Sequence, residues 1–234
     1  MSADAVIWHD LECGGYRADL PHWLTLAARH PGTVLDIGAG TGRVAIELAR
    51  AGHHVVALER DAVLAAELDR RATELAVEVL RADACSFSVR PRVPLAIVPM
   101  QTIHLFEDLS AFLRCTFASL QPRGVLAVAL LGEGVEPFEL ELEPDTAEFD
   151  AVRYESTPTA LRRDNGAVLL ERRRTRTAAE GTHSEIDLIR LADCDVATLT
   201  AQAQAVGFEP LERHTIAATL DHAGSEIVCL AVPA

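Results

Sequence analysis

Three acidic residues recur at near-equal intervals, and each closes an apolar run. Asp36 stands in Val34-Leu35-Asp36-Ile37, Glu59 follows Val55-Val56-Ala57-Leu58, and Asp83 comes shortly after Val77-Glu78-Val79-Leu80. A glycine run, Gly38-Ala39-Gly40-Thr41-Gly42, follows the first of them, and helical periodicity sets in from Val44. Glycines let a backbone turn sharply and approach a ligand closely, and a following helix offers N–H groups with the positive end of its dipole. That is the chemistry of a site for a polar or anionic piece of a cofactor. A carboxylate such as Glu59 at a strand end accepts two hydrogen bonds from a ribose diol. The acids are 23 and 24 residues apart, and one strand–helix repeat takes about 20–30 residues. All three therefore fall at successive strand ends of one parallel sheet, where open α/β sheets bind ligands. Taken singly, each acid also reads as a helix cap or turn residue. Three of them in register with the glycine run favour the cofactor site.

In dinucleotide-binding loops the third glycine position packs a helix closely on a strand, and here that position is Arg43. The run from Thr33 to Arg43 instead resembles motif I of class I S-adenosylmethionine-dependent methyltransferases. The resemblance implies an enzyme that uses S-adenosylmethionine. It places Gly38, Ala39 and Gly40 against the amino-acid end of the cofactor, with Asp36 supporting the loop. It gives Glu59 the ribose, and Asp83 with the Ala84 N–H the adenine. Arg60 stands where relatives often put an apolar residue against the adenine ring, and its guanidinium plane could stack there or remain in solvent. The acid usual at the start of the fourth strand is absent, since Val93-Pro94-Leu95 stands in its place.

The acceptor side rests on Pro99-Met100-Gln101-Thr102-Ile103-His104. Pro99 and Gln101 are expected near the cofactor. His104, three residues from Gln101, is the candidate general base, because imidazole titrates near neutrality. The competing expectation is that Gln101 and His104 only hydrogen-bond the cofactor tail or a neighbouring loop. Trp8, Tyr16, Tyr154 and Arg163 are candidate acceptor contacts, although an amphipathic helix would bury its aromatics in any case.

These residues need strands alternating with helices. Such a pattern is legible as strands 33–37, 54–59, 77–81, 95–98 and 124–131 with helices 43–51, 62–75 and 107–120, and a turn is expected at 121–124. The expected fold is α/β, a doubly wound, mostly parallel seven-stranded sheet of the Rossmann-like methyltransferase kind. Residues 1–30 read as an N-terminal helical cap broken at Cys13-Gly14-Gly15. The cofactor domain is 31–136 with 193–234, closed by helix 195–206 and strands near 208–217 and 225–232. Between these parts lies an antiparallel insertion, 137–192. It has a strictly alternating strand at 138–143, two runs around the Asn165-Gly166 hairpin signal, and a third run at 183–191. In layout this resembles small-molecule enzymes of the glycine N-methyltransferase type. The insertion is expected to act as a substrate lid or a homodimer surface. Its 133–150 stretch holds eight acids and no base, whereas Arg172, Arg173, Arg174 and Arg176 crowd a later strand.

Composition narrows the partners. The net charge of −14 repels a phosphate backbone, so a small-molecule acceptor is expected and a nucleic acid is not. No apolar run reaches the ~20 residues of a membrane span, and Met1-Ser2-Ala3-Asp4 lacks the features of a signal peptide. Five scattered cysteines without a C-x-x-C pair suit a reduced, cytoplasmic protein. The nine histidines show no metal-ligand spacing, so no metal is expected. Two other classes stay open: a Rossmann-type oxidoreductase, disfavoured by Arg43, and a cofactor-binding partner subunit without turnover.

Overall fold

Parallel strands buried on both faces must be almost wholly apolar, and four segments of this chain meet that demand. In the computed structural model, which describes residues 4–132, 136–218 and 223–234, these are β1 (Val34–Ile37), β2 (Val55–Glu59), β4 (Val93–Val98) and the later part of β5 (Leu120–Leu131). With β3 (Val77–Arg81) they pair in parallel, and β12 (Ser225–Ala231) and β11 (Glu209–Ile216) add an antiparallel edge. The order is β11-β12-β5-β4-β1-β2-β3, the seven-stranded, mostly parallel sheet expected. The order reverses direction at β1 and β4, and the crevice outside their carboxyl ends is where such sheets bind ligands.

Helices cover both faces. One apolar layer includes Phe112 and Leu113 of α5 (Leu109–Ser119) and Leu199 and Ala203 of α6 (Val196–Val206). The other includes Trp23 and Leu26 of α2 (Leu20–Arg29), Leu48 of α3 (Ala45–Arg50) and Leu68 of α4 (Ala62–Arg71). Side chains start three of these helices: Asp61, Asp108 and Asp195 each accept a hydrogen bond from a first-turn N–H. Gly207 ends α6 in the left-handed conformation. The turn expected at 121–124 lies inside β5, as an irregular stretch where Arg123 has φ 64° and β4 shifts register between Val93 and Leu95.

The chain divides into two compact units: Tyr16–Glu133 with Cys194–Ala234, and Met1–Gly15 with Gly134–Asp193. The expected 1–30 cap is therefore cut between Gly15 and Tyr16, and α1 (Asp4–Cys13) belongs with the insertion. The reason is a buried ion pair. Both Glu12 oxygens accept from Arg174, at 2.8 and 2.7 Å from Nε and Nη2, and the Ser156 hydroxyl donates to the same carboxylate at 2.8 Å. Trp8 packs edge-on to Tyr154, whose phenol donates to Asp4 at 2.7 Å.

The insertion sheet runs β10-β9-β8-β6, with β7 also on β8. Its long strands are β8 (Val152–Asp164), β9 (Ala167–Ala178) and β10 (Gly181–Ala192), and the Asn165-Gly166 turn joins the first two as expected. The strand expected at 138–143 is only β6 (Phe138–Glu139); Leu140 and Leu142 are exposed, and the next strand is β7 (Asp145–Phe149). Alternation there reflects ion pairing rather than a half-buried face. Glu139 pairs with Arg162, Glu141 with Arg173, and Asp145 approaches Arg172. Glu133 of the acidic run lies outside the described residues.

Glu12→Ala would leave the Arg174 guanidinium without its main partner inside this unit. Removing one member of such a pair costs about 3 kcal/mol or more. Thermal denaturation should show that loss, with proteolytic cuts appearing first within 134–193. An unchanged melting temperature would mean that the pair contributes nothing.

Candidate active site

The glycine run leaves β1 as a turn in which Gly38, Gly40 and Gly42 all have positive φ. Gly38 is fixed as glycine twice over. Its φ is +76°, and a Cβ there would overlap the Thr102 methyl group. The loop therefore packs directly against the segment after β4.

Its N–H groups are not open donors. Gly38 and Ala39 both donate to the Leu58 carbonyl, at 2.8 and 3.0 Å, and Gly40 donates to Glu59 Oε2 at 2.9 Å. Helix α3 begins only at Ala45. These three tie the loop to the end of β2, and the glycines serve close approach. Glu59 is the clamp. Its second oxygen accepts from the Asp61 N–H at 2.8 Å, and the residue is almost fully buried. A carboxylate offers about four lone-pair positions, so each oxygen retains capacity for a ribose hydroxyl.

The Asp36 carboxyl is fully buried, and neither oxygen has a full hydrogen-bond partner among the described residues; the Ala45 N–H at the start of α3 is the backbone group that acts on it. Burial, with smaller contributions from Asp19 and Glu59, pushes its pKa up to about 7 despite the nearby Arg43 guanidinium. Orphaned buried polar atoms call for an explanation, and a cationic ligand group would supply one.

Arg43, the residue that broke the dinucleotide pattern, is itself structural. Its Nη1 and Nη2 donate to Asp19 at 2.6 and 2.7 Å, and Nη1 also reaches the Tyr16 carbonyl at 2.8 Å. Asp19 in turn accepts from Trp23 Nε1 at 2.8 Å. Nothing in the sequence singled out Asp19. The signal was Arg43, an arginine where the chain packs too tightly for an unpaired one.

Asp83 sits exposed at the end of β3, with Oδ1 accepting from the Cys85 N–H at 2.6 Å, and Ala84 beside it is buried. Arg60 is exposed. Pro99 is buried, and its carbonyl accepts from the Thr102 N–H and hydroxyl. Met100 and Gln101 follow with φ of 50° and 57°, two successive non-glycine residues in a sparsely populated conformation of the kind that concentrates at functional sites. Gln101 Nε2 donates to Ser225 Oγ at 2.8 Å, and the same hydroxyl interacts with the Tyr16 phenol.

His104 lies on this segment, but its Nε2 accepts the Leu131 N–H at 3.0 Å. A nitrogen whose lone pair holds a backbone N–H is not available as a proton acceptor, so the base role through Nε2 is corrected. Tyr16 is buried under the Arg43 guanidinium, 5.2 Å from its ring centre. Trp8 and Tyr154 are interior residues of the insertion unit, and Arg163 is exposed near its hairpin tip. The structure thus gathers Asp36, Gly38, Ala39, Gly40, Glu59, Pro99 and Gln101; of the four expected acceptor contacts, Trp8 and Tyr154 pack on each other within the insertion unit.

A match over residues 34–124 to the methyltransferase domain family covers this whole constellation. Residues 34–124 are a class I S-adenosylmethionine-dependent methyltransferase domain. The cofactor of such a domain is S-adenosylmethionine. The chain is 33% identical over 82 residues to an rRNA adenine N-6-methyltransferase of Corynebacterium diphtheriae, which is 35% of this chain and only 32% of that protein. In fold it is similar to the sugar N-methyltransferase KedS8 from Streptoalloteichus sp ATCC 53650, with a TM-score of 0.79 and 16% identity over 100% of this chain and 94% of the other. It is also similar to CalS10, an amino pentose methyltransferase from Micromonospora echinaspora solved with S-adenosylmethionine bound, at a TM-score of 0.73 and 17% identity over 95% and 96%.

The residues of the methyltransferase domain fit the cofactor. Asp36 offers an unsatisfied carboxyl to a cationic group, Glu59 offers acceptor capacity to a diol, and Gly38 to Gly40 allow close approach. Glu59→Ala should weaken S-adenosylmethionine binding about 10- to 150-fold by calorimetry; unchanged affinity would remove Glu59 from the site. Asp36 adds a pH signature. Its folded pKa of about 7 lies above the ordinary 3.8, so the folded chain keeps a proton that the unfolded chain loses. Stability is then full below about pH 4 and falls as pH rises towards about 7. Binding of a cation favours the ionised form, so cofactor affinity should rise between about pH 6 and 8. Asp36→Asn should flatten both profiles, which chemical denaturation and calorimetry across pH would record.

Proposed function

We propose that the protein transfers a methyl group from S-adenosylmethionine to an amine nitrogen of a small-molecule acceptor, with an amino sugar as the first class to test. The observation that carries the reading is the buried Asp36 carboxyl, whose oxygens have no full hydrogen-bond partner among the described residues, beside the Glu59-clamped glycine loop. Such a site suits a cofactor that carries both positive charge and a ribose. Support for the acceptor class comes from the two sugar-modifying structures, whose likeness runs through the insertion as well as the sheet. The net charge of −14 further favours an amine over a polyanion.

When bound, the cofactor supplies an electrophilic methyl group. The chain's own task is positioning, because an in-line displacement gains most from fixed geometry. The Glu59 clamp fixes the loop. Thr102 packs against Gly38, and Gln101 is anchored to Ser225. A free amine already carries the lone pair it needs, so no protein base has to act on it. We assign His104 the role of holding the loop after β4 to the end of β5 through Leu131. Residues 137–192 are assigned to acceptor recognition, with exposed positions rather than Trp8 or Tyr154 making the contacts.

The test is a screen of amino sugars, hydroxylated sugars and quinol-type phenols, read as release of S-adenosylhomocysteine and mass gain of the acceptor. Turnover confined to amines supports the reading, whereas methylation of a hydroxyl alone overturns it. On the true acceptor, His104→Ala should stay within about tenfold of the parent rate and lower the melting temperature. A loss of about 10²–10⁴ with cofactor affinity intact would instead be the signature of a general base.

A further inference from the structure

Far from the glycine loop in the strand order, two strands of the sheet unit bring metal-type donors together. Glu212 and His214 lie on β11 and Cys229 on β12, and one ligand atom from each falls within 4.8 Å of the other two. The register explains the clustering. A bulge between Pro210 and Glu212 leaves Leu211 unpaired and sets Glu212 directly opposite Cys229, with His214 opposite Ile227. Bulges re-aim side chains in this way. Cys229 and Ile227 both belong to the apolar layer formed with α2, so Glu212 and His214 face that helix too.

Helix α2 brings a further imidazole alongside: the His22 ring centre lies 4.9 Å from that of His214. His22 Nε2 is a buried nitrogen without a hydrogen-bond partner among the described residues. Such an orphan beside a thiol, an imidazole and a carboxylate is an expensive arrangement for a packing surface. Arg29, further along α2, donates to Glu212 Oε1 at 2.8 Å, while Oε2 lies 3.4 Å from His214 Nε2. A carboxylate held on one oxygen by an outer partner, with the other aimed at neighbouring donors, is how ligating carboxylates are oriented.

We propose that Glu212, His214 and Cys229 form a binding site for a zinc-class divalent cation, separate from the methyl-transfer site, with the His22 ring beside it. The donor set of one thiolate, one imidazole and one carboxylate matches zinc and cobalt and disfavours magnesium and calcium. Binding breaks the Cys229 S–H bond, forms the metal–thiolate bond and releases one proton to solvent. No sequence motif announces the site, because its ligands come from two strands that meet through a bulge. The site joins β11 to β12, so the cation would act as a staple there.

The test is titration of the chelator-stripped full chain with Co²⁺, followed by displacement with Zn²⁺. A thiolate-to-cobalt charge-transfer band saturating at one equivalent is expected, and Zn²⁺ should abolish it. Cys229→Ser should remove that band. His214→Ala, at a partly exposed position, should weaken binding by more than the roughly 10- to 100-fold seen for outer-sphere changes. S-adenosylmethionine affinity should be unchanged in both. If Cys229→Ser does not fold, His214→Ala alone decides the matter. Absence of the band in the parent chain, or equal bands in parent and His214→Ala, overturns the proposal.

Discussion

Two buried carboxylates, Asp19 and Asp36, lie near one guanidinium, that of Arg43, and a third, Glu59, is buried close enough to act on Asp36. Asp19 takes the arginine in a two-point ion pair, and Glu59 is satisfied by two backbone N–H groups. Asp36 is left over. Burying an uncompensated carboxylate is costly enough that the group holds its proton instead. The core of the site is thus built one positive charge short. A bound cation can relieve that deficit, as can a proton, and the choice between them links cofactor binding to pH. Stability of the free chain and affinity for the cofactor are opposite faces of the same carboxyl.

The elements of the sheet were legible because their physics is local. A parallel strand buried on both faces must be a short apolar run, and its carboxyl end is where an acid can reach a ligand without being entombed. Asp36 shows the limit of that reading. It lies one residue earlier, inside β1, and its role followed from burial that no spacing reveals. Arg43 shows the converse. The sequence marked it as a departure from one pattern, but only the fold supplied Asp19, 24 residues away, as the reason it is tolerated. The alternating stretch at 138–143 misled because the alternation of apolar and acidic residues has two causes. A half-buried strand produces it, and so does a series of acids answering arginines on neighbouring strands. The split of the N-terminal helices was hidden for a similar reason, since Glu12 and Arg174 are 162 residues apart.

The segment after β4 connects these parts. Its two left-handed residues, Met100 and Gln101, cost conformational energy that surrounding contacts must hold in place. Those contacts are specific: Thr102 fills the space opposite Gly38, Gln101 is anchored on Ser225 of β12, and His104 grips the backbone of β5 at Leu131. The glycine loop, the fourth strand and the closing hairpin are thereby coupled through six residues. A displacement of β12 would be felt at Gln101 before it reached any other part of the cofactor crevice.

That coupling gives the cluster at Glu212, His214 and Cys229 a mechanical meaning. The same strand, β12, carries Ser225 at one end and Cys229 four residues on. The histidines and the thiol act on the face of β11 and β12 packed against α2, and α2 follows directly from Asp19, the partner of Arg43. A cation joining β11 to β12 on that face would thus brace the support that holds Gln101. The charge balance at Asp36 is set elsewhere, by burial and by its neighbours Arg43, Asp19 and Glu59. Position and charge are governed by different parts of the fold.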